Sequence, residues 1–178
     1  MYIPRINQFK DQDQLVAFLQ QNNFATHVSI VDCLPVATQH PVTVTQSEEG
    51  IWIRGHFARA NRQWKEIGSQ SVLVMFTGPH AYISTTLYEK WESVPTWNYI
   101  AVHAYGEVEL VHAEQEPDRL EAIIVELINT HEAAYQTQWD QLSDKFRNGM
   151  KRGIVGFELT VTRLEGKAKL SQNKTESE

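Results

Sequence analysis

Between residues 99 and 111 the chain alternates with a period of two. Ile100, Val102, Ala104, Gly106, Val108 and Leu110 interleave with Tyr99, His103, Tyr105, Glu107 and Glu109. One apolar face and one polar face make the pattern of a half-buried antiparallel strand. Residues 154–162 alternate again through Val155, Phe157, Leu159 and Val161, and the run Ser-Val-Leu-Val-Met-Phe-Thr at 71–77 is apolar enough for a buried central strand. Shorter strands are predicted over 24–31, 41–46 and 51–55, the last two joined by a hairpin turn at Glu48-Glu49-Gly50. A period nearer 3.6 places Leu15, Phe18 and Leu19 on one face of a helix over 11–22, with Asp11 or Asp13 as its cap.

A short helix is predicted over 59–67, stopped by Gly68. Two more follow the long strand. The first starts near Pro117 and carries Leu120, Ile123, Ile124, Leu127 and Ile128 on one stripe; the second starts at Thr137-Gln138-Trp139-Asp140 and buries Trp139, Leu142 and Phe146. Many short strands with a few inserted helices predict a mainly β protein with α insertions, a small antiparallel barrel with its helices packed outside. No repeat or long linker divides the chain, so residues 1–170 read as one domain with a two-helix insert at about 116–150, and 171–178 as a polar tail that frays.

Composition narrows the partners. The 178 residues are 42% hydrophobic and 21% charged, enough for one good core. The net charge of −6 argues against a broadly basic, DNA-binding face, although a local patch remains compatible with it. A lone cysteine, Cys33, allows no internal disulfide, and the start Met-Tyr-Ile-Pro-Arg has no signal-peptide pattern. No apolar run is long enough for a membrane span, so a cytoplasmic protein is expected.

The chemistry is concentrated in a few short runs. Gly78-Pro79-His80-Ala81-Tyr82-Ile83-Ser84 and Val94-Pro95-Thr96-Trp97-Asn98-Tyr99 crowd rings and hydrogen-bonding groups at strand ends, the combination a planar heteroaromatic ligand needs; a core-filling Tyr82 with a solvated His80, and the same choice for Trp97, Asn98 and Tyr99, fits these residues equally. In Arg54-Gly55-His56-Phe57-Ala58-Arg59-Ala60-Asn61, Gly55 permits close backbone approach, a helix start offers amides, and Arg54, Arg59 and Arg62 offer guanidinium groups, all suited to a phosphate; solvated arginines on a plain strand-to-helix turn fit the same residues. Thr38, Gln39 and His40 precede Pro41 in a stretch that fits either a pocket mouth or a polar loop entering a strand. The seven histidines show no zinc spacing, and no Walker A loop, GxGxxG or nucleophile elbow is present.

These residues resemble the PaiB family, described as FMN-binding negative transcriptional regulators with a flavin-reductase-like split barrel. The matching strings include Leu34-Pro35-Val36-Ala37-Thr38, Gly55-His56-Phe57-Ala58, Asn61 with Gln63-Trp64, the two aromatic runs, and Lys169-Leu170-Ser171-Gln172-Asn173. The resemblance implies a six-stranded antiparallel split barrel acting as a homodimer, with FMN in a cleft between subunits. By the same resemblance, Thr38, His40, Arg59 and Trp64 would bind the flavin, and Gly55, His56 and Asn61 would reach it from one subunit. His80, Tyr82, Trp97, Asn98 and Tyr99 would serve it from the other, with Lys169 and Gln172 closing over it. Two positions depart from the family: the histidine of Thr-His-Leu-Pro stands one place later, at His40, which turns it to the opposite strand face, and Arg62 replaces a proline.

The resemblance implies a flavin-binding regulator. No basic recognition helix is visible, and the helix from Pro117 is acidic, so regulation through another protein is expected over direct DNA binding. A flavin reductase or pyridoxamine-phosphate-oxidase-like enzyme is the alternative, with His80 the candidate for substrate contact, and a dimer with an empty cleft is a third.

Overall fold

In the computed structural model, Asp11 accepts a hydrogen bond from the Gln14 amide (2.9 Å) and so caps helix α1 (Gln12–Gln21). Leu15, Val16, Phe18 and Leu19 of this helix are buried against the inner face of a curled sheet, each burial contributing about 1.5–3 kcal/mol. The structure describes residues 1–174; the last four residues of the expected polar tail lie outside it.

The sheet is built from β1 (Gln8–Phe9), β2 (Phe24–Val31), β3 (Leu34–Pro41), β4 (Thr43–Ser47), β5 (Gly50–Ala58), β6 (Ser71–Ile83), β7 (Thr96–Val111) and β8 (Ile154–Lys169). The order is β3-β2-β6-β7-β8-β5-β4, every pairing is antiparallel, and β1 adds to β8. The two flanks of this path curl back together: His40 Nδ1 of β3 lies 3.3 Å from the His56 carbonyl of β5. Inward residues Ile53, Phe57, Val74, Phe76, Val102, Ala104, Phe157 and Leu159 form the core, in the alternation predicted for β7 and β8.

Several expectations are corrected. There are eight strands where six were expected, one of them only two residues long. Residues 34–41 form a full strand paired along β2, so Thr38, Gln39 and His40 belong to the sheet; the prolines at its two ends had masked the alternation. β6 and β7 extend through both aromatic runs, and β8 runs on to Lys169.

The insert holds three helices, α3 (Pro117–Glu132), α4 (Tyr135–Gln141) and α5 (Asp144–Arg152), packed outside the sheet. Leu120, Ile123 and Leu127 of α3 are buried with Val111, and Trp139 of α4 donates to Glu121 Oε1 (2.7 Å). Phe146, expected inside, is 53% exposed: the helix expected from Thr137 breaks at Leu142, and Ser143 caps a new one, so Phe146 no longer shares a stripe with Trp139. Gly156 makes the seat for α3. A Cβ there would stand 2.7 Å from Leu120 Cδ1 and 3.3 Å from both Ile123 Cδ1 and Val111 Cβ. Gly156→Val is therefore expected to cost about 1–3 kcal/mol through overpacking. Urea unfolding measures this, and an unchanged midpoint would mean that α3 is not seated there.

Candidate functional site

Two groups of side chains sit at opposite ends of β8. The first surrounds the end of β5. Residues 59–63 form turns, and only Trp64–Ile67 (α2) is helical, where a helix over 59–67 was expected. The competing force is local side-chain bonding. Asn61 accepts from the Gln63 amide through Oδ1 (3.0 Å) and donates through Nδ2 to Thr38 Oγ1 (2.8 Å), which holds the chain in a turn. The Arg59, Asn61, Gln63, Lys65 and Glu66 amides all donate to protein acceptors, so the expected amide cradle at a helix start is absent from those positions.

The three arginines also separate. Arg54 is held by Glu158, by Thr45 (2.7 Å) and by Glu126 (3.6 Å). Arg59 reaches Glu114 (3.1 Å), leaving its Nε buried without a partner. Arg62 is exposed and has no ion pair among the described residues, so it is the one guanidinium of the three free to meet an anion.

The expected partners of these arginines are distributed over both sides of the sheet. Thr38 and Asn61 meet each other at Gln63, a residue that sequence reasoning quoted only as part of a motif. Gln63 is 1% exposed. Its Oε1 accepts from Thr38 (2.6 Å), and its Nε2 faces Ser29 Oγ (2.9 Å), the Val36 carbonyl (3.1 Å) and the His27 carbonyl (3.2 Å). Gly55 faces inward: a Cβ there would lie 3.0 Å from the Phe157 ring and 3.2 Å from the Pro41 carbonyl, so it serves barrel closure. His40 lies inside, stacked on Phe157 at 5.1 Å and 6% exposed.

His56 points outward into an apolar groove of about 280 Å³ lined by Leu127, Ile128, His131 and Tyr135. Its Nδ1 is buried without a partner, and burial holds its pKa below the usual histidine range. Trp64 donates to the Arg59 carbonyl (3.0 Å) and packs edge-on against His112.

The second group is the tip of the β6–β7 hairpin. Tyr82 pairs with Trp97, His80 with Tyr99, and Ala81 with Asn98. A register shift between Thr77 and His80, at Gly78-Pro79, moves His80 and Tyr82 onto the face that carries Trp97 and Tyr99. Without that bulge they would point the other way. Tyr82 and Trp97 are both about half exposed, with ring centroids 5.8 Å apart, and His80 lies 6.0 Å from Trp97. Asn98 faces away and accepts from Ser171 Oγ (3.0 Å). Lys169 pairs with Tyr99 across the strands and donates to Thr96 Oγ1. Gln172 is occupied within its own turn, donating to the Ala168 carbonyl and accepting from the Leu170 amide (2.8 Å).

The strand register measures the gap between the groups. Ala58 pairs with Ile154 at one end of β8, and Tyr99 pairs with Lys169 at the other. At a rise of about 3.3 Å per residue, that is a contour of roughly 50 Å.

The model of the family described as "Putative FMN-binding domain" matches residues 1–163. Over its whole length the chain is 38% identical to the protease synthase and sporulation protein PAI 2 of Bacillus subtilis (strain 168), covering 85% of that protein. It is 33% identical to an uncharacterized protein of Emericella nidulans, over 78% of this chain and 67% of the other. Its fold is similar to that of the flavocytochrome Anf3 of Azotobacter vinelandii, with a TM-score of 0.73 at 13% identity over 96% of this chain and 73% of that one. It is also similar to that of the FAD and heme binding protein of Mycobacterium smegmatis, with a TM-score of 0.68 at 13% identity over 92% and 73% of the two chains.

Proposed function

The chain belongs to this FMN-binding family, and we propose that it works as a homodimer whose FMN sites are each shared by two subunits, and that it regulates gene expression through a protein partner. The observation that carries the shared site is the contour between the two groups on β8, far longer than one FMN. We read a flavin that touches both as drawing them from two chains. The residues suit the ligand: Arg62 offers a guanidinium with no ion pair among the described residues for the phosphate, and His56 Nδ1 and Arg59 Nε are buried without a partner there. Tyr82 and Trp97 present exposed rings for the isoalloxazine. When bound, FMN supplies the electron chemistry; the protein binds and orients it. The regulatory reading draws on the family resemblance and on the Bacillus subtilis relative, whose name is protease synthase and sporulation protein PAI 2. The net charge of −6 favours a protein partner over direct contact with DNA.

Subunit complementation tests the shared site. Trp97→Ala and Arg62→Ala homodimers are each expected to bind FMN roughly tenfold more weakly than wild type. Refolded as a mixture, mixed dimers carry one intact site and one doubly damaged site. Tight binding should return at about one FMN per mixed dimer, read by flavin fluorescence quenching. A monomeric wild-type protein, or a mixture with no regained tight binding, would overturn the reading. Steady NADPH consumption by the loaded protein would favour the enzyme instead.

A further inference from the structure

Lys167 is the anomaly of the aromatic face. It is 8% exposed, and among the described residues it is the only lysine, arginine, aspartate or glutamate in the buried set. No carboxylate among the described residues pairs with it. Its Nζ instead lies 5.2 Å from the Tyr99 ring and 5.7 Å from the Tyr2 ring. The stem is covered by protein while the ammonium lies between two rings that compensate its charge only partly, which leaves it able to meet an anionic group of a ligand. The nearest acid along the strand, Glu165, is engaged by the amino terminus and by Arg163 (3.4 Å). Register puts Lys167 opposite Ala101 and Lys169 opposite Tyr99, so both lysines belong to the sheet face that carries Trp97 and Tyr99.

We infer that Lys167 is the counter-charge for the N1–C2 carbonyl edge of the flavin held on this face, and that it makes the site favour reduced FMN over oxidised FMN. The inference rests on the shared-site reading above. A ring stacked against Tyr99 and Trp97 would bring one edge to this ammonium. The free guanidinium suited to phosphate, Arg62, belongs to the other end of β8, and the second lysine of this face, Lys169, is held by Thr96 Oγ1, which leaves the ring edge for Lys167. Reduction by two electrons and one proton leaves the flavin with a negative charge centred on that edge at neutral pH. A fixed cation there therefore binds the reduced form more strongly than the neutral oxidised form.

The test compares wild type, Lys167→Met, Lys167→Gln and Lys167→Arg. FMN affinity is measured for the oxidised form by fluorescence quenching, and the potential of the bound flavin by titration with dithionite against a reference dye. Lys167→Met and Lys167→Gln should lose roughly tenfold of the preference for reduced FMN, with oxidised binding changed less than about threefold, and Lys167→Arg should restore the preference. If Met misfolds, Gln keeps a polar tip of similar length and carries the comparison. An unchanged potential, or an equal loss of affinity in both oxidation states, overturns the inference and leaves FMN binding standing. A wild-type protein that binds no FMN fails earlier, at the shared-site reading itself.

Discussion

Gln63→Ala is expected to lower stability by about 3–5 kcal/mol, a large fraction of what a domain of this size holds. Gln63 joins three parts of the chain that are distant in sequence: the turn after β5, strand β2 through Ser29 and His27, and strand β3 through Thr38 and Val36. Truncation leaves Ser29 Oγ and the Val36 carbonyl without this donor, and opens a cavity at a site 1% exposed. Gln63→Leu keeps most of the volume and separates the two terms: it should recover the cavity part and still cost about 1–3 kcal/mol for the unpaired polar groups. Urea midpoints for both variants give the answer. If Gln63→Leu matches wild type, the network does not hold the barrel's end. Because Thr38 and Asn61 belong to the same network, FMN affinity is expected to fall with it.

The second large effect is a loss of stability in mild acid. His27 is fully buried, with no hydrogen-bond partner for either ring nitrogen among the described residues. Its ring lies 5.6 Å from His40, 5.2 Å from Phe57 and 5.4 Å from Phe157. Burial, and then the neighbouring His40, lowers its pKa from 6.5 to about 3. Burial likewise lowers His40 to about 4, against the opposing pull of its bond to the His56 carbonyl. His56 and His103 are shifted the same way by burial.

The unfolded chain takes up these protons near pH 6.5, while the folded protein refuses them until far lower. The stability contributed by neutral histidines is complete above pH 6.5 and is lost as pH falls through 6.5 toward 3. At about 1.4 kcal/mol per pH unit for each such group, the buried pair should cost on the order of 3 kcal/mol between pH 6.5 and 5, before most carboxylates titrate. Urea midpoints across that interval should fall steeply in wild type and less steeply in a His27→Leu, His40→Leu double variant. Imidazole proton resonances of the pair should stay constant down to pH 5. Titration of both near 6.5 would show that the rings are not sealed.

Much of the framework was legible locally. The alternation in 99–111 and 154–162, the Asp11 cap and the Leu120 stripe all reappear, because each is set by neighbours on a single strand or helix. The misses have a different character. Strand β3 was hidden by its prolines, and the helix expected over 59–67 lost its first turn to Asn61 side-chain bonds made with Gln63 and Thr38. Phe146 lost its place on the Trp139 stripe because the helix breaks at Leu142 and restarts at the Ser143 cap.

The candidate site divides along the same line. Its residue types are readable in the chain, and the family resemblance carried by those residues implies FMN. Sequence by itself determined the strand faces, the main apolar stripes and the cofactor. Tertiary structure decided which of Arg54, Arg59 and Arg62 keeps a free charge, on which face the bulge sets His80 and Tyr82, and that Lys167 lies buried with no acid beside it among the described residues. The reason is physical: periodicity and capping act between residues a few positions apart, whereas charge pairing and burial are fixed by partners brought together from as far apart in sequence as Arg54 and Glu158.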